Sequence, residues 1–167
     1  MRINRLVSFG GIMAVIDVDD RLKRFLDTVA WSEGTSTNPI TQNNGYDVIV
    51  SGVNGHNSFT DYSTHPFANG REPIEVRPGL HSTASGRYQL MLHWWGPYKK
   101  ILLLNDFSPL SQDKIALQQI KERRAIQSIL DGNISFAITA CSNIWASFPG
   151  NSYNQGGRSL AELLSKY

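Results

Sequence analysis

The chain has 167 residues, 41% hydrophobic and 18% charged, with seven Phe, six Tyr and four Trp, a composition that excludes a disordered or fibrous polypeptide and can supply one core. The formal net charge of +2 comes from scattered Lys and Arg, not from a basic run, so nothing in it points to nucleic acid. One cysteine, Cys141, excludes an intramolecular disulfide, and its place on a helical apolar stripe marks it as inert core.

At the N-terminus, Arg2 and Arg5 precede an apolar run from Leu6 to Ile16 that imitates an export signal. The imitation stops at residues 17–20, Asp-Val-Asp-Asp, which are acidic where a small-residue cleavage site belongs, and the run is shorter than the roughly 20 residues that cross a bilayer. Residues 1–16 are therefore expected to form a disordered or loosely packed extension, with Met13 an alternative start, and residues 17–167 the folded domain.

The first helix signal is the stripe Leu22, Phe25, Leu26, Val29 and Ala30, with Asp19 or Asp20 placed to cap it and Gly34 to stop it. Glu33 is then expected at the C-terminal end of a buried helix, where a side chain can leave the core and face a cleft. From Thr35 to Ser85 short β-prone runs such as Tyr46 to Val50 alternate with Asn-Asn-Gly, Asn-Gly and Pro-Gly turn signals, which predicts a small irregular β lobe. Tyr88 to Tyr98 is apolar nearly all round and is expected to be a central buried helix, bent or ended by Pro97. Further helices are expected from about Ser111 to Arg124, around Ile126 to Leu130, along the stripe Ile134, Ala137, Ile138, Cys141, Ile144, Trp145 and Phe148, and from Ser159 to Tyr167. The order predicts an α+β protein, a helical body with a small β lobe flanking a cleft.

Glu33 stands beside Trp31 at a helix end, where the partial negative charge of the helix and desolvation by apolar neighbours both favour the protonated acid. A carboxylic acid kept protonated near neutral pH is what glycosidic cleavage needs, because the leaving oxygen must receive a proton. Placement alone favours an ordinary solvated glutamate, since most glutamates near helix ends are solvated. Ser82 to Gln89 offers hydroxyl, guanidinium and amide donors around Gly86, suited either to sugar groups or to a plain helix N-cap. Tyr46-Asp47, Phe59 to Tyr62 and Tyr153 to Gln155 suit pyranose recognition or ordinary turns. His56, His65, His81 and His93 never fall at metal-ligand spacing and read as isolated surface residues. No metal or other cofactor is expected. Nucleotide-binding and serine-nucleophile motifs are missing as well.

Taken together, Leu26-Asp27, Ala30 to Thr35, Gly45 to Val50, Phe59 to Ser63, Gly86 to Leu90, Asp106 to Pro109, Ala116 to Arg123 and Cys141 to Ser147 occur in the order seen in the bacteriophage lambda endolysin family, lysozyme-like lytic transglycosylases. The chain resembles that family over about residues 17 to 167. It departs from a family member in having Asn44 where that member has a His, and in a longer loop from Ser51 to Asn57. The resemblance implies a lysozyme-like fold and Glu33 as the single catalytic carboxylate. It implies glycan contacts at Tyr46, Asp47, Ser85, Gln89 and Tyr153, and peptidoglycan glycan strands as the partner. It further implies a monomer without stable membrane association that is made in the host cytoplasm and reaches the wall with the help of a holin. Two other readings stay open: a hydrolytic muramidase with Asp47 or Asp61 as second carboxylate, and an inactive wall-binding virion module.

Overall fold

The computed structural model describes residues 11–150 and 157–167. The carboxylate of Asp19 accepts from the Arg21 amide and so caps helix α1 (Asp20–Ser32). All five residues of the predicted stripe are buried, with Phe25, Leu26, Val29 and Ala30 fully so. Burying each large apolar side chain of this kind contributes about 1.5–3 kcal/mol, and α1 is accordingly the centre of the helical body, packed against three other helices.

The β lobe is two antiparallel hairpins. Strands β1 (Val48–Gly52) and β2 (Gly55–Ser58) pair with Val48 opposite Ser58, and β3 (Ile74–Arg77) and β4 (Leu80–Ser82) pair with Ile74 opposite Ser82. The turns fall at Pro78-Gly79, as its dipeptide predicted, and at Val53-Asn54, one residue before the predicted Asn-Gly pair. The two hairpins are joined by the bond from the Val53 amide to the Glu75 carbonyl, 2.9 Å.

After the lobe come α2 (Leu92–Ile101), α3 (Pro109–Glu122), α4 (Ile126–Leu130), α5 (Ile134–Cys141) and α6 (Leu160–Lys166). Two apolar clusters result. One gathers α1, α4, α5 and Leu163 of α6; the other joins Ile49, Phe59 and Phe67 of the lobe to Leu90, Trp95, Tyr98 and Phe107. Helix α3 serves both, presenting Ala116 and Ile120 to the first and Ile115 to the second. The lobe is thus fastened to the body along one helix.

Three expectations change. Residues 13–16 are not loosely packed: Ala14 and Ile16 are buried, the amides of Met13 and Ala14 donate to Asp27, and those of Val15 and Ile16 donate to Asp113, all at 2.8–2.9 Å. Residues 1–10 lie outside the described residues. The segment from Tyr88 to Tyr98 is not a central helix either, because Ser85 bridges to both Ile49 and Leu90 and holds residues 85–90 in a turn. Helix α2 starts later, at the rim, burying Trp95 and Tyr98 but leaving Trp94 49% exposed. The stripe that begins at Ile134 stops being helical after Cys141, yet its later members Trp145 and Phe148 remain buried.

Candidate active site

Glu33 is the C-cap of α1, with helical backbone angles (φ −70°, ψ −9°) and its amide still bonded to the Val29 carbonyl. Gly34 follows in the left-handed region and ends the helix. The Glu33 side chain is half-buried and accepts at Oε1 a short hydrogen bond from the Ser147 hydroxyl. Ser32, the last residue of α1, donates in turn to Ser147 Oγ at 2.8 Å. Burial pushes the Glu33 carboxyl above the usual carboxylate range, and the Ser147 hydroxyl partly offsets this. The acid predicted from sequence is therefore raised by desolvation, which favours its protonated form.

Thr35 carries the end of α1 to the rest of the site. Its hydroxyl lies 2.6 Å from the Arg87 carbonyl and 3.1 Å from the Ala30 carbonyl. The turn of residues 86–89 is fixed from two more sides. The Gly86 amide donates to the Val48 carbonyl at 2.7 Å and the Arg87 amide to Gln112 Oε1 at 2.9 Å. Gly86 has φ +80°, and a Cβ there would collide with the Gln112 side chain, so only glycine lets the turn close this tightly. Gln112 also donates to the carbonyls of Tyr46 and Phe107, each at 3.0 Å. One buried amide thereby ties the strand that enters the lobe to the turn beneath it.

The candidate glycan residues divide between surface and interior. Gln89 is half-buried, at φ +53°, with its amide nitrogen donating to the Gly86 carbonyl at 2.9 Å. Its carboxamide oxygen has no protein donor in the described contacts and can accept from a ligand. Asp47 is buried and held by its own loop: Thr41 Oγ1 donates to Oδ1 at 2.5 Å and the Gln42 amide to Oδ2 at 2.7 Å. Ser85 is 1% exposed and its hydroxyl donates to the Thr83 carbonyl at 3.0 Å, so it serves the turn. Tyr46, expected as a glycan contact, is 1% exposed with its hydroxyl donating to Asp113 at 2.8 Å. The hydroxyls of Tyr46 and Ser85 are thus buried and satisfied by protein in this structure. Tyr153 lies outside the described residues. Asp61 is exposed, accepts from the Ser63 amide at 2.8 Å, and lines a polar pocket of about 320 Å³ with His65, Asn69 and Arg71, to which Glu33 does not contribute.

His65 also departs from expectation. It is fully buried: Nε2 donates to the Leu90 carbonyl at 2.9 Å, and Nδ1 accepts from the Phe67 amide at 3.3 Å. Among the described residues no cluster of His, Cys, Asp or Glu could hold a metal ion, and no helix is long and apolar enough to cross a membrane.

Sequence reasoning missed Ser147 as the partner of Glu33 and Ser32 as the partner of Ser147. Ser32 sits inside the motif that drew attention to the acid, but Ser147 is 114 residues away from it, and only the packing of Trp145 and Phe148 against the body brings it there.

A model of the endolysin family matches residues 23–167. Two curated relatives are endolysins. That of Escherichia phage P2 is 53% identical and covers 92% of this chain and 94% of its own; that of Escherichia phage lambda is 49% identical, with 92% of each chain covered. Among solved structures, bacteriophage lambda lysozyme complexed with a chitohexasaccharide superposes with a TM-score of 0.82 at 50% identity, covering 91% of this chain and 94% of that one. A second lambda lysozyme structure gives 0.78 at 47% identity, with the same shares covered. The α+β architecture is thus lysozyme-like.

Proposed function

Because the chain belongs to the endolysin family, phage enzymes that degrade peptidoglycan for host lysis, we propose that it works as a lytic transglycosylase with Glu33 as acid and then base. In this reading Glu33 protonates the glycosidic oxygen as the β-1,4 bond between N-acetylmuramic acid and N-acetylglucosamine breaks. The N-acetyl group of the substrate supports the positive charge developing at C1. The Glu33 carboxylate then takes the proton of the muramoyl C6 hydroxyl as O6 bonds to C1, so that a 1,6-anhydro end forms and Glu33 is again the acid. No water is consumed.

The observation that carries the proposal is the contrast between the carboxyls. Glu33 is desolvated, raised, and bound by protein at Oε1 through Ser147. Asp47 has both oxygens engaged by Thr41 and Gln42. Asp61 is exposed, and its bond from Ser63 holds the carboxyl below its usual range. A hydrolytic enzyme of the two-carboxylate kind needs a second group set about 5–9.5 Å from the first and free to act as nucleophile or base. The engagement of Asp47 by its own loop and the exposure of Asp61 support the single-acid reading. A glycan substrate is supported by the chitohexasaccharide bound to the related lambda lysozyme, and Gln89 is the residue here best placed to accept from one.

The reading extends to a monomer that binds no nucleic acid, accumulates in the host cytoplasm and reaches the wall once a holin has opened the membrane. Lysis from within by the chain expressed without a holin would overturn that route. The chemistry is tested by digesting purified peptidoglycan and analysing the ends. Anhydromuramoyl products, lost in Glu33→Gln, are expected; reducing muramic acid ends would establish hydrolysis, and clearing by Glu33→Gln would leave Glu33 without a catalytic role.

A further inference from the structure

The Glu33–Ser147 contact is itself held from behind. The Ser147 carbonyl accepts from the Arg158 amide at 2.8 Å. Gly157, one residue earlier, passes so close that a Cβ would lie 2.6 Å from the Ser147 carbonyl oxygen, 2.9 Å from its carbon and 3.2 Å from the Ala146 carbonyl oxygen, all backbone atoms that cannot swing aside. The approach therefore admits glycine alone. The Arg158 guanidinium lies over the Trp31 ring at 4.4 Å, and Lys166 Nζ lies near the same ring at 5.0 Å. Trp31 belongs to the last turn of α1, two residues before Glu33.

Downstream, this short segment is anchored by α6. Ser159 caps the helix through a capping box with Glu162, and Leu163 is fully buried in the body. Residues 157–158 are thus fixed at the helix and press on both sides of the acid: on the backbone of Ser147, which touches its carboxyl, and on the ring of Trp31, which belongs to its helix.

We propose that Gly157 and Arg158 are positioning residues for the general acid: by fastening the Ser147 carbonyl and the Trp31 ring they keep the Ser147 hydroxyl on Glu33 Oε1, leaving Oε2 to exchange the proton with the glycan. The inference rests on Glu33 being that acid. It assigns the segment before α6, remote in sequence from the motif around Glu33, to the alignment of the reacting group.

The test measures kcat and KM against pH on soluble peptidoglycan fragments, with full-length wild type, Gly157→Ala, Ser147→Ala, the double variant, Arg158→Ala and Glu33→Gln. Gly157→Ala is expected to lower kcat by roughly 10- to 100-fold, as a misplaced reacting group does, with KM nearly unchanged. Its alkaline limb should move to higher pH, because the Ser147 hydroxyl no longer favours the carboxylate. On a Ser147→Ala background Gly157→Ala should add no further loss, since both act through one contact. Arg158→Ala, which keeps the backbone amide, should lose about two- to fivefold, the size of an exposed cation–π contact.

An unmoved limb with activity that merely follows the folded fraction, or losses that multiply in the double variant, would overturn the proposal. If Gly157→Ala does not fold, Arg158→Ala carries the test, and wild-type kcat in it has the same meaning. Activity surviving in Glu33→Gln would instead refute the acid assignment, whatever Gly157→Ala does.

Discussion

Ser32 and Ser147 meet hydroxyl to hydroxyl at 2.8 Å across 115 residues of chain, and the second of them passes the contact on to Glu33. A buried serine, Ser32, thus orients the Ser147 hydroxyl that touches the acid. Ser32→Ala removes one neutral hydrogen bond and should destabilise the fold by about 0.5–1.5 kcal/mol, while leaving the Ser147 donor in place. Its pH–rate profile should consequently lie between those of wild type and Ser147→Ala; a profile matching that of Ser147→Ala would make Ser32 the dominant partner.

Glu33→Gln should lose activity by roughly 10²- to 10⁴-fold, the usual contribution of a general acid, while gaining stability at neutral pH. The sign follows from linkage. The folded-state carboxyl titrates above its unfolded value, so its contribution is fully present below about pH 4.3, the unfolded value for Glu, and is lost as pH rises through the folded-state pKa. Glutamine has no such dependence. Urea denaturation should show the variant gaining on wild type from pH 4 to pH 7, and a constant difference would show that burial does not perturb Glu33.

His65 should make the protein acid-sensitive in a different window. Burial holds its pKa below the ordinary value, and both ring nitrogens are engaged as in a neutral imidazole. Its stabilising contribution is therefore complete above about pH 6.5, the unfolded His value, and is lost as pH falls below that value through the folded-state pKa. His65→Gln should flatten the stability profile between pH 5 and pH 7. An equally steep profile in the variant would place the transition elsewhere.

Asp113 accepts from the hydroxyls of Tyr46 and Tyr88, at 2.8 and 2.6 Å, and from the amides of Val15 and Ile16, at 2.8 and 2.9 Å. Asp113→Ala leaves the hydroxyls of Tyr46 and Tyr88 and the Ile16 amide buried without this acceptor and should cost about 3–5 kcal/mol, as loss of one partner from a buried polar network does. Asp113→Asn should do nearly as badly, because its NH₂ group would face donors. Chemical denaturation of both variants checks this, and a loss under 1 kcal/mol would mean that water takes over the role.

Asp47→Asn should leave the type of product unchanged. The side chain is engaged by Thr41 and Gln42, so the variant loosens that loop and lowers the rate without altering the chemistry. A variant unable to cleave at all, with its fold intact, would return Asp47 to the list of reacting groups.

Legibility in the sequence followed the range of the interaction. The α1 stripe, its Asp19 cap and the placement of Glu33 at the helix end were all readable, because spacing and capping are local. So was the turn at Pro78-Gly79 and, to within one residue, the turn at Val53-Asn54. The burial of Tyr46 and Asp47 was not readable, because the Tyr46 hydroxyl is taken up by Asp113 far along the chain and the Asp47 carboxylate by the fold of its own loop, neither of which a strand-like pattern encodes. The apolar stretch from Tyr88 to Tyr98 misled because a segment apolar all round looks the same whether it is buried throughout or, like α2, lies at the rim with Trp94 outside. Nothing local to His65 marks it as buried, because its burial depends on the Leu90 carbonyl, 25 residues away. Ser147 carried no signal: a serine is common everywhere, and its meaning comes from the fold alone.

The strap of residues 13–16 is held by its backbone amides, each given to Asp27 or Asp113, while the side chains of Met13 and Val15 stay about half exposed. Two carboxylates therefore recognise a stretch of peptide without reading its outward side chains. Met13 and Val15 are free to become nearly any residue except proline, which alone lacks the N–H that is grasped. In a mutational scan these two positions should tolerate charge, bulk and polarity alike and reject a single residue type, a pattern opposite to that of the core they close.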